Sequence, residues 1–199
     1  MVRRHLSHVE RFVCLTDMPV KNSSVECVRL QHGWPGWWSK IEAFSPRLAP
    51  EGDRVLYIDL DTCIVGDLSA IASCPDPFLI MGDVYRRPPK SPQIQYQSSI
   101  MAWTAGPFVN VYSDFVKGPA AVMEKFRVIG DQGWIQSKVG SAALWENVVP
   151  NQVVSFKKDC RRGLPKNARV VVFHGVPKPW AVRDPWMVRA YRSVEPAHA

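Results

Sequence analysis

Residues 54–58, an arginine and then four apolar residues without interruption, follow a Gly-Asp turn, and this run constrains the fold more than any other feature. A strand with one face in water alternates apolar and polar side chains, whereas a strand covered on both faces is apolar throughout. Residues 78–81 and 99–103 repeat the pattern, and residues 12–15 and 168–173 predict two further strands. We therefore predict a mostly parallel sheet, which is the usual setting of such strands.

Helical segments separate these strands. Residues 37–44 have helical character and end where a proline stops the helix. Residues 118–129 predict a helix that opens with proline, and residues 130–139 a second short helix. Alternating strands and helices indicate an α/β fold, which we expect to form one domain over residues 1–199, with residues 181–199 as a tail.

The composition excludes a membrane-spanning chain. Hydrophobic residues make up 46% of the 199 residues, yet no apolar run approaches the ~18 residues that a membrane helix requires. The basic start of the chain has no apolar stretch after it, so it does not resemble a signal peptide. Five cysteines without CxxC spacing indicate free thiols in a reducing compartment. We therefore expect a cytoplasmic protein.

The net charge of +7 is concentrated towards the C-terminus. Residues 157–192 carry ten basic side chains against only Asp159 and Asp184. Such a segment attracts phosphates, nucleic acid or an anionic membrane face, but a solvated basic surface explains the charge equally well. No nucleic-acid motif accompanies it, so we expect no nucleic-acid partner. Peripheral contact with the anionic inner face of the membrane is a further expectation.

Asp59 and Asp61 follow the strongest predicted strand at its C-terminal end. Side chains at i and i+2 of an extended chain face the same way, so both carboxylates can reach one cation while Leu60 turns back into the core. Ligands of open α/β sheets gather at the carboxyl ends of strands. Mg²⁺ and Mn²⁺ bind there through one or two carboxylates plus substrate phosphates. An exposed turn, which Asp also favours, explains the same residues equally well.

A second polar cluster follows the last predicted strand. His174 can add an imidazole nitrogen to a metal held by carboxylates, and a nitrogen ligand favours Mn²⁺ over Mg²⁺. Gly175 lets the backbone approach a ligand closely, and the ammonium of Lys178 suits a phosphate oxygen. The alternative is a surface histidine and lysine in a proline-rich turn, and for either residue alone this alternative is the better interpretation.

Four stretches, in this order, resemble the retaining glycosyltransferases of the glycogenin and bacterial lipopolysaccharide galactosyltransferase type, glycosyltransferase family 8. Residues 38–44 look like the family's helix with a donor-contacting lysine or arginine, and residues 54–62 like its strand and metal motif. Residues 130–133 are similar to its Asp-Gln motif, and residues 173–180 to its His-Gly-Lys-Pro-Trp signature. Their joint occurrence is a stronger signal than any one motif. The resemblance implies the GT-A fold, a Rossmann-like sheet flanked by helices.

The resemblance also implies a hexosyltransferase that uses a nucleotide-sugar donor, a UDP-sugar, with Mn²⁺ or Mg²⁺ as cofactor. Asp59, Asp61 and His174 would hold the metal. The donor-binding residues would be Lys40, Asp59, Ser98, Ser99, Gly175 and Lys178, with Lys178 steadying the diphosphate. The acceptor would be a glycan, a lipid-linked sugar or a protein.

The resemblance places Asp131 and Gln132 beside the anomeric carbon as catalytic residues. In retaining enzymes of this type the acceptor attacks on the face that the diphosphate leaves, and the leaving phosphate takes the proton. Gln132 would stabilise positive charge on the sugar through its carbonyl oxygen. From the residues alone, a helix start is the simpler interpretation, because Asp is a good cap. Gln97 stands where the family often has Asn beside the sugar, which leaves the identity of the sugar open.

The chain departs from the family at its N-terminus. It lacks the family's first strand and the loop that cradles the base, although the first strand of a doubly wound sheet is central. Either the true start lies upstream, or the chain is a truncated or degenerate copy. The alternative function is therefore a non-catalytic glycosyltransferase-like protein. Metal-dependent binding of UDP separates the two functions.

Overall fold

The computed structural model describes residues 1–18, 20, 25–83 and 95–192, which form a mixed α/β structure. The strands are β1 (Val13–Thr16), β2 (Glu26–Arg29), β3 (Arg54–Ile58), β4 (Thr62–Ile64), β5 (Phe78–Gly82), β6 (Tyr96–Thr104), β7 (Ala143–Leu144), β8 (Val153–Ser155) and β9 (Val170–Val172). The α-helices are α1 (Val2–His5), α2 (Ser69–Ala72), α3 (Asn110–Val116), α4 (Pro119–Lys125), α5 (Asp131–Val139), α6 (Trp145–Val148), α7 (Phe156–Asp159) and α8 (Pro185–Arg192), and 3₁₀-helices cover Gly36–Phe44 and Pro179–Ala181. In this described part of the chain, no helix combines the length and the apolar character that crossing a membrane requires.

The central sheet has the strand order β3-β6-β5-β7. Its side chains alternate between two cores: along β6, Met101 and Trp103 enter one core, and Ile100 and Ala102 enter the other. Each of these four residues is at most 2% exposed. Both faces of the sheet are therefore covered, which confirms the interpretation of the continuous apolar runs.

A second sheet has the strand order β4-β9-β8 and shares a core with the first. Along β9, Val170 and Val172 enter the shared core, whereas Val171 enters a third core that contains Met187 of α8. The two sheets and the helices around them thus enclose successive apolar layers, and the polar strand ends lie at their edges.

The strand pairing is more mixed than the sequence predicts. Among the described strands, β1–β2, β5–β7 and β8–β9 pair in parallel, whereas β3–β6, β5–β6 and β4–β9 pair antiparallel. The expected mostly parallel sheet needs this correction because a continuous apolar run reports burial on both faces and not the direction of the neighbouring strand. The predicted α/β class, with helices packed on the sheets, is confirmed.

The C-terminal segment predicted as a tail contains helix α8. Met187 is only 1% exposed, and the ring of Trp186 lies 6.3 Å from that of Phe156, measured between centroids. A narrow apolar stripe is enough to hold a short helix against a core that other elements have already formed. The tail prediction is therefore wrong for α8, and residues 193–199 lie outside the described part of the chain.

The 3₁₀-helix Gly36–Phe44 carries a buried carboxylate that organises its surroundings. Glu42 is fully buried, and its Oε2 forms an ion pair with Arg47 Nη2 at 2.9 Å. The backbone N–H groups of Gln31 and His32 donate to the same carboxylate at 2.8 and 3.0 Å. Glu42 thereby ties the segment after β2 to the helix, two residues from Lys40.

Candidate active site

Three strand ends meet at one edge of the second sheet. Thr62 of β4 pairs with Val172 of β9, and Val172 pairs with Ser155 of β8. Strand β4 runs antiparallel to β9, and β8 runs parallel to it. The residue before Thr62 and the residues after Val172 and Ser155 therefore leave the sheet at the same edge. This register brings Asp61, His174 and the start of α7 together, although they are far apart in the sequence.

Asp59 closes β3 and begins a tight turn. Its backbone N–H donates to the carbonyl oxygen of Ser99 at 2.8 Å, and the N–H of Thr62 donates to the carbonyl oxygen of Asp59 at 3.1 Å. The turn ends the alternation of side chains, so Leu60 is 88% exposed, and the prediction that it turns into the core is wrong. The side chains of Asp59 and Asp61 are each 21% exposed. Both carboxylates are therefore accessible to a ligand.

Lys40 is the centre of a polar network next to this turn. Its Nζ lies 3.1 Å from each carboxylate oxygen of Asp59 and 3.3 Å from Oδ2 of Asp131. It also donates to Ser98 Oγ at 2.9 Å and to the carbonyl oxygen of Ser98 at 3.2 Å. The structure therefore brings together four of the predicted site residues, from four separate segments of the chain.

Two hydroxyl groups complete the Lys40 network. Ser98 Oγ donates to Asp131 Oδ2 at 2.6 Å, and the hydroxyl of Tyr57 donates to Asp59 Oδ1 at 2.7 Å. Sequence reasoning missed Tyr57, although its place two residues before Asp59 on one strand was the available signal. Asp131 is only 5% exposed, so a solvated helix start does not account for it.

Burial and charge set the protonation of the two donors to Asp59. Burial disfavours the ammonium of Lys40, but the carboxylates of Asp59 and Asp131 outweigh this effect and raise the pKa of Lys40 above its usual 10.5. Burial, followed by the charge of Asp59, raises the pKa of Tyr57 well above its usual 10.0. Both side chains therefore keep their protons at neutral pH and act as hydrogen-bond donors.

His174 lies at the same edge and is partly buried. Burial lowers the pKa of His174, the carboxylate of Asp83 opposes this effect, and the ammonium of Lys157 adds to it. The charges of Asp61 and Asp59 also reach the imidazole, which puts the histidine in their neighbourhood. The ring is therefore neutral at pH 7, the form in which histidine binds metals.

The carboxylates of Asp59 and Asp61 are the oxygen donors that the site offers to a metal. Lys178 Nζ contacts Asp61 Oδ2 directly, as Lys40 contacts Asp59. Within the described ranges, no three His, Cys, Asp or Glu side chains lie close enough together to hold an ion, so His174 is not brought into a three-ligand group. Mg²⁺ and Mn²⁺ need only one or two carboxylates when substrate phosphates complete the coordination, and this donor set fits that chemistry.

Two predicted residues lie beside the Lys40 network without joining it. Ser99 is engaged by Gln97: its N–H donates to Gln97 Oε1 at 3.1 Å, and its Oγ accepts from Gln97 Nε2. Gln132 Nε2 donates to the carbonyl oxygen of Ile129 at 3.5 Å. Gln132 follows Asp131 at the start of α5, so it borders the network from the helix side.

Comparison with solved structures identifies the fold. The galactosyltransferase LgtC, solved in complex with donor and acceptor sugar analogs, matches with a TM-score of 0.56 at 13% identity, over 85% of this chain and 72% of that chain. An active-site mutant of LgtC matches with a TM-score of 0.55 at 12% identity, over 81% and 70%. The glycosyltransferase GlyE of Streptococcus pneumoniae TIGR4 matches with a TM-score of 0.51 at 11% identity, over 85% and 48%. The chain has a glycosyltransferase fold.

The glycosyltransferase fold confirms the fold that the resemblance in the sequence implies. The neighbours are glycosyltransferases of the GT-A fold, which is the fold that the resemblance implies. The sequence itself matches no family model and no curated protein. At 11–13% identity the likeness establishes the fold, and the chemistry rests on the residues of this chain.

Proposed function

We propose that the protein is a metal-dependent glycosyltransferase that moves a sugar from a UDP-sugar donor to an acceptor hydroxyl, with retention. The observation that carries the proposal is the network of Lys40, Asp59 and Asp131 at the sheet edge that also holds Asp61, in a glycosyltransferase fold. LgtC, which has this fold, binds donor and acceptor sugar analogs. The acceptor hydroxyl belongs to a glycan, a lipid-linked sugar or a protein.

The donor's diphosphate binds at the edge of the second sheet in this proposal. Asp59 and Asp61 would hold Mn²⁺ or Mg²⁺, and His174, whose neutral imidazole lies at the same edge, would approach them as a third ligand when the ion binds. A divalent cation there neutralises the negative charge that develops on the leaving diphosphate. Lys178, which lies against Asp61, donates to a phosphate oxygen. Gly175 is exposed, with a backbone φ of 63°, so no side chain keeps the diphosphate from the loop.

Lys40 acts on the donor through its neighbours. Only 8% of its side chain is exposed, and its ammonium holds Asp59, Asp131 and Ser98 in one arrangement. Fixed charges at a reacting centre contribute most when they do not need to reorganise during the reaction. Lys40 is therefore a positioning residue in this proposal, and Ser98 and Ser99 border the donor sugar.

Transfer takes place beside the start of α5, where Asp131 and Gln132 lie. The bond between the anomeric carbon and the phosphate oxygen breaks, and the acceptor oxygen bonds to the anomeric carbon on the same face. The acceptor's proton passes to the released phosphate oxygen, so charge and atoms balance. The side-chain oxygen of Gln132 stabilises the positive charge that the sugar carries during the exchange.

Release of UDP from a panel of UDP-sugars tests the proposal. We expect turnover of at least one donor with Mn²⁺, loss of turnover with EDTA, and a decrease in kcat/KM of roughly a hundredfold for Asp61→Ala. Asp53→Ala is the matched control, because it removes an exposed carboxylate directly before β3, at the end of that strand away from the site. Unchanged release by Asp61→Ala would remove this carboxylate from the mechanism. A wild-type protein that neither binds nor releases UDP with Mn²⁺ would support the non-catalytic alternative.

A further inference from the structure

A second lysine side chain reaches the loop that begins at His174. Strands β8 and β9 are parallel, with Ser155 beside Val172. Past the strand ends the side chains stay in contact, because the rings of Phe156 and Phe173 stack with centroids 4.5 Å apart and planes 16° apart. The residue after Phe156 therefore arrives beside the residues after Phe173.

That residue is Lys157, and its ammonium lies over Gly175. Lys157 Nζ is 3.9 Å from the position that a Cβ atom would take on Gly175. The charge of Lys157 also reaches the imidazole of His174. Lys178, three residues after Gly175, contacts Asp61 from the same loop. One ammonium group thus lies over Gly175, where the backbone is open to a ligand, and a second contacts Asp61 from the same loop.

Lys157 has the surroundings of a ligand-binding cation rather than of a structural ion pair. It is partly buried, and no carboxylate of the described residues forms an ion pair with it. Lys158, the next residue, is exposed, and its charge acts on Glu146 instead of His174. The ammonium groups of these two neighbouring lysines therefore lie in different surroundings.

We propose that Lys157 is a second diphosphate-binding residue, which donates to a phosphate oxygen of the donor above Gly175 while Lys178 binds the same diphosphate from the other end of the loop. None of the four motifs contains residue 157. The inference rests on the proposed function, because it needs a diphosphate at this edge. Two ammonium groups together with a divalent cation match the charge of a diphosphate better than that of a single phosphate.

Binding of UDP in the presence of Mn²⁺, measured by titration calorimetry, tests the inference. We expect Lys157→Ala to weaken UDP binding roughly tenfold, as for the loss of one hydrogen bond to a charged group. Lys158→Ala removes the same charge one residue away and should bind as the wild type does. Lys157→Arg keeps the charge and should recover most of the affinity. Far-UV circular dichroism of each variant reports whether the fold is preserved.

The outcomes separate the inference from the proposed function. If the wild type binds UDP and Lys157→Ala binds it as well as Lys158→Ala does, the role of Lys157 is contradicted and the proposed function stands. If the wild type binds no UDP with Mn²⁺, both are contradicted. Weaker binding of unphosphorylated uridine by Lys157→Ala would also contradict a phosphate contact, because uridine has no group for the ammonium to bind.

Discussion

At the scale of single residues, the site depends on one buried ammonium shared by two carboxylates. Lys40 Nζ contacts Asp59 and Asp131, which the folded chain brings together from β3 and the start of α5. Removing one partner of a buried charge pair is costly, because the remaining charge loses both water and its counter-charge. The geometry of the donor site and the stability of the fold are therefore coupled at Lys40.

Replacing Lys40 by methionine should lower the free energy of unfolding by about 3 kcal/mol at pH 7, because two carboxylates lose their shared ammonium. Urea denaturation measures this change. The loss in the free energy of unfolding should become smaller in acid, where protonation of Asp59 and Asp131 removes their unpaired negative charge. Lys125→Met, at an exposed position of α4, is the control and should change stability little. Equal stability of Lys40→Met and the wild type would contradict the network.

Alkaline pH should weaken the fold through the same residues. The pKa values of Lys40 and Tyr57 are raised in the folded state, so the folded protein holds these protons more tightly than the unfolded chain does. Their stabilisation is therefore complete below about pH 10 and is lost as the pH rises further. Denaturation series between pH 8 and 11 should show a shallower decline for Tyr57→Phe than for the wild type. Identical slopes would show that Tyr57 does not contribute.

At the scale of elements, the apolar runs in the sequence located the strands. They showed neither the direction in which neighbouring strands pair nor the residue at which the alternation of side chains ends. The runs that become β5 and β6 are visible because both faces are buried, and the run that becomes β3 because its partly buried side chains pack against both cores. Their antiparallel pairing is invisible to that signal. The turn that begins at Asp59 reverses the orientation of Leu60, because alternation holds only while the chain is extended.

The 3₁₀-helix that carries Lys40 should depend on Glu42. Glu42→Ala leaves Arg47 and two backbone N–H groups without their acceptor, so we expect a loss of about 3 kcal/mol in the free energy of unfolding. Glu124→Ala removes an exposed carboxylate and is the control. Thermal or urea unfolding compares the two variants. A loss no larger for Glu42→Ala than for Glu124→Ala would show that the helix does not need this anchor.

Helix α8 should behave as part of the folded core. Met187→Ala removes a side chain that is 1% exposed, and we expect it to cost about 3 kcal/mol, which is typical for a buried methionine. Met18→Ala, at a residue 69% exposed, is the control and should be near neutral. A near-neutral Met187→Ala variant would mean that α8 is not packed as the structure shows.

At the scale of the whole molecule, the four motifs predicted the fold and three members of the Lys40 network, but not how they meet. Lys40, Asp59 and Asp131 are visible in the sequence as parts of separate motifs, and their convergence follows from long-range packing. Tyr57 and Lys157 escape sequence reasoning because their roles depend on hydrogen bonding and strand register. Such information resides in the pairing of distant segments, which local periodicity does not encode.

The most direct test of the central claim is the anomalous X-ray signal of Mn²⁺ in crystals grown with UDP. We expect a peak within coordination distance of carboxylate oxygens from both Asp59 and Asp61, with the diphosphate of UDP on the same ion and Lys178 turned towards it. A manganese ion bound elsewhere, or a diphosphate bound away from these two carboxylates, would contradict the account.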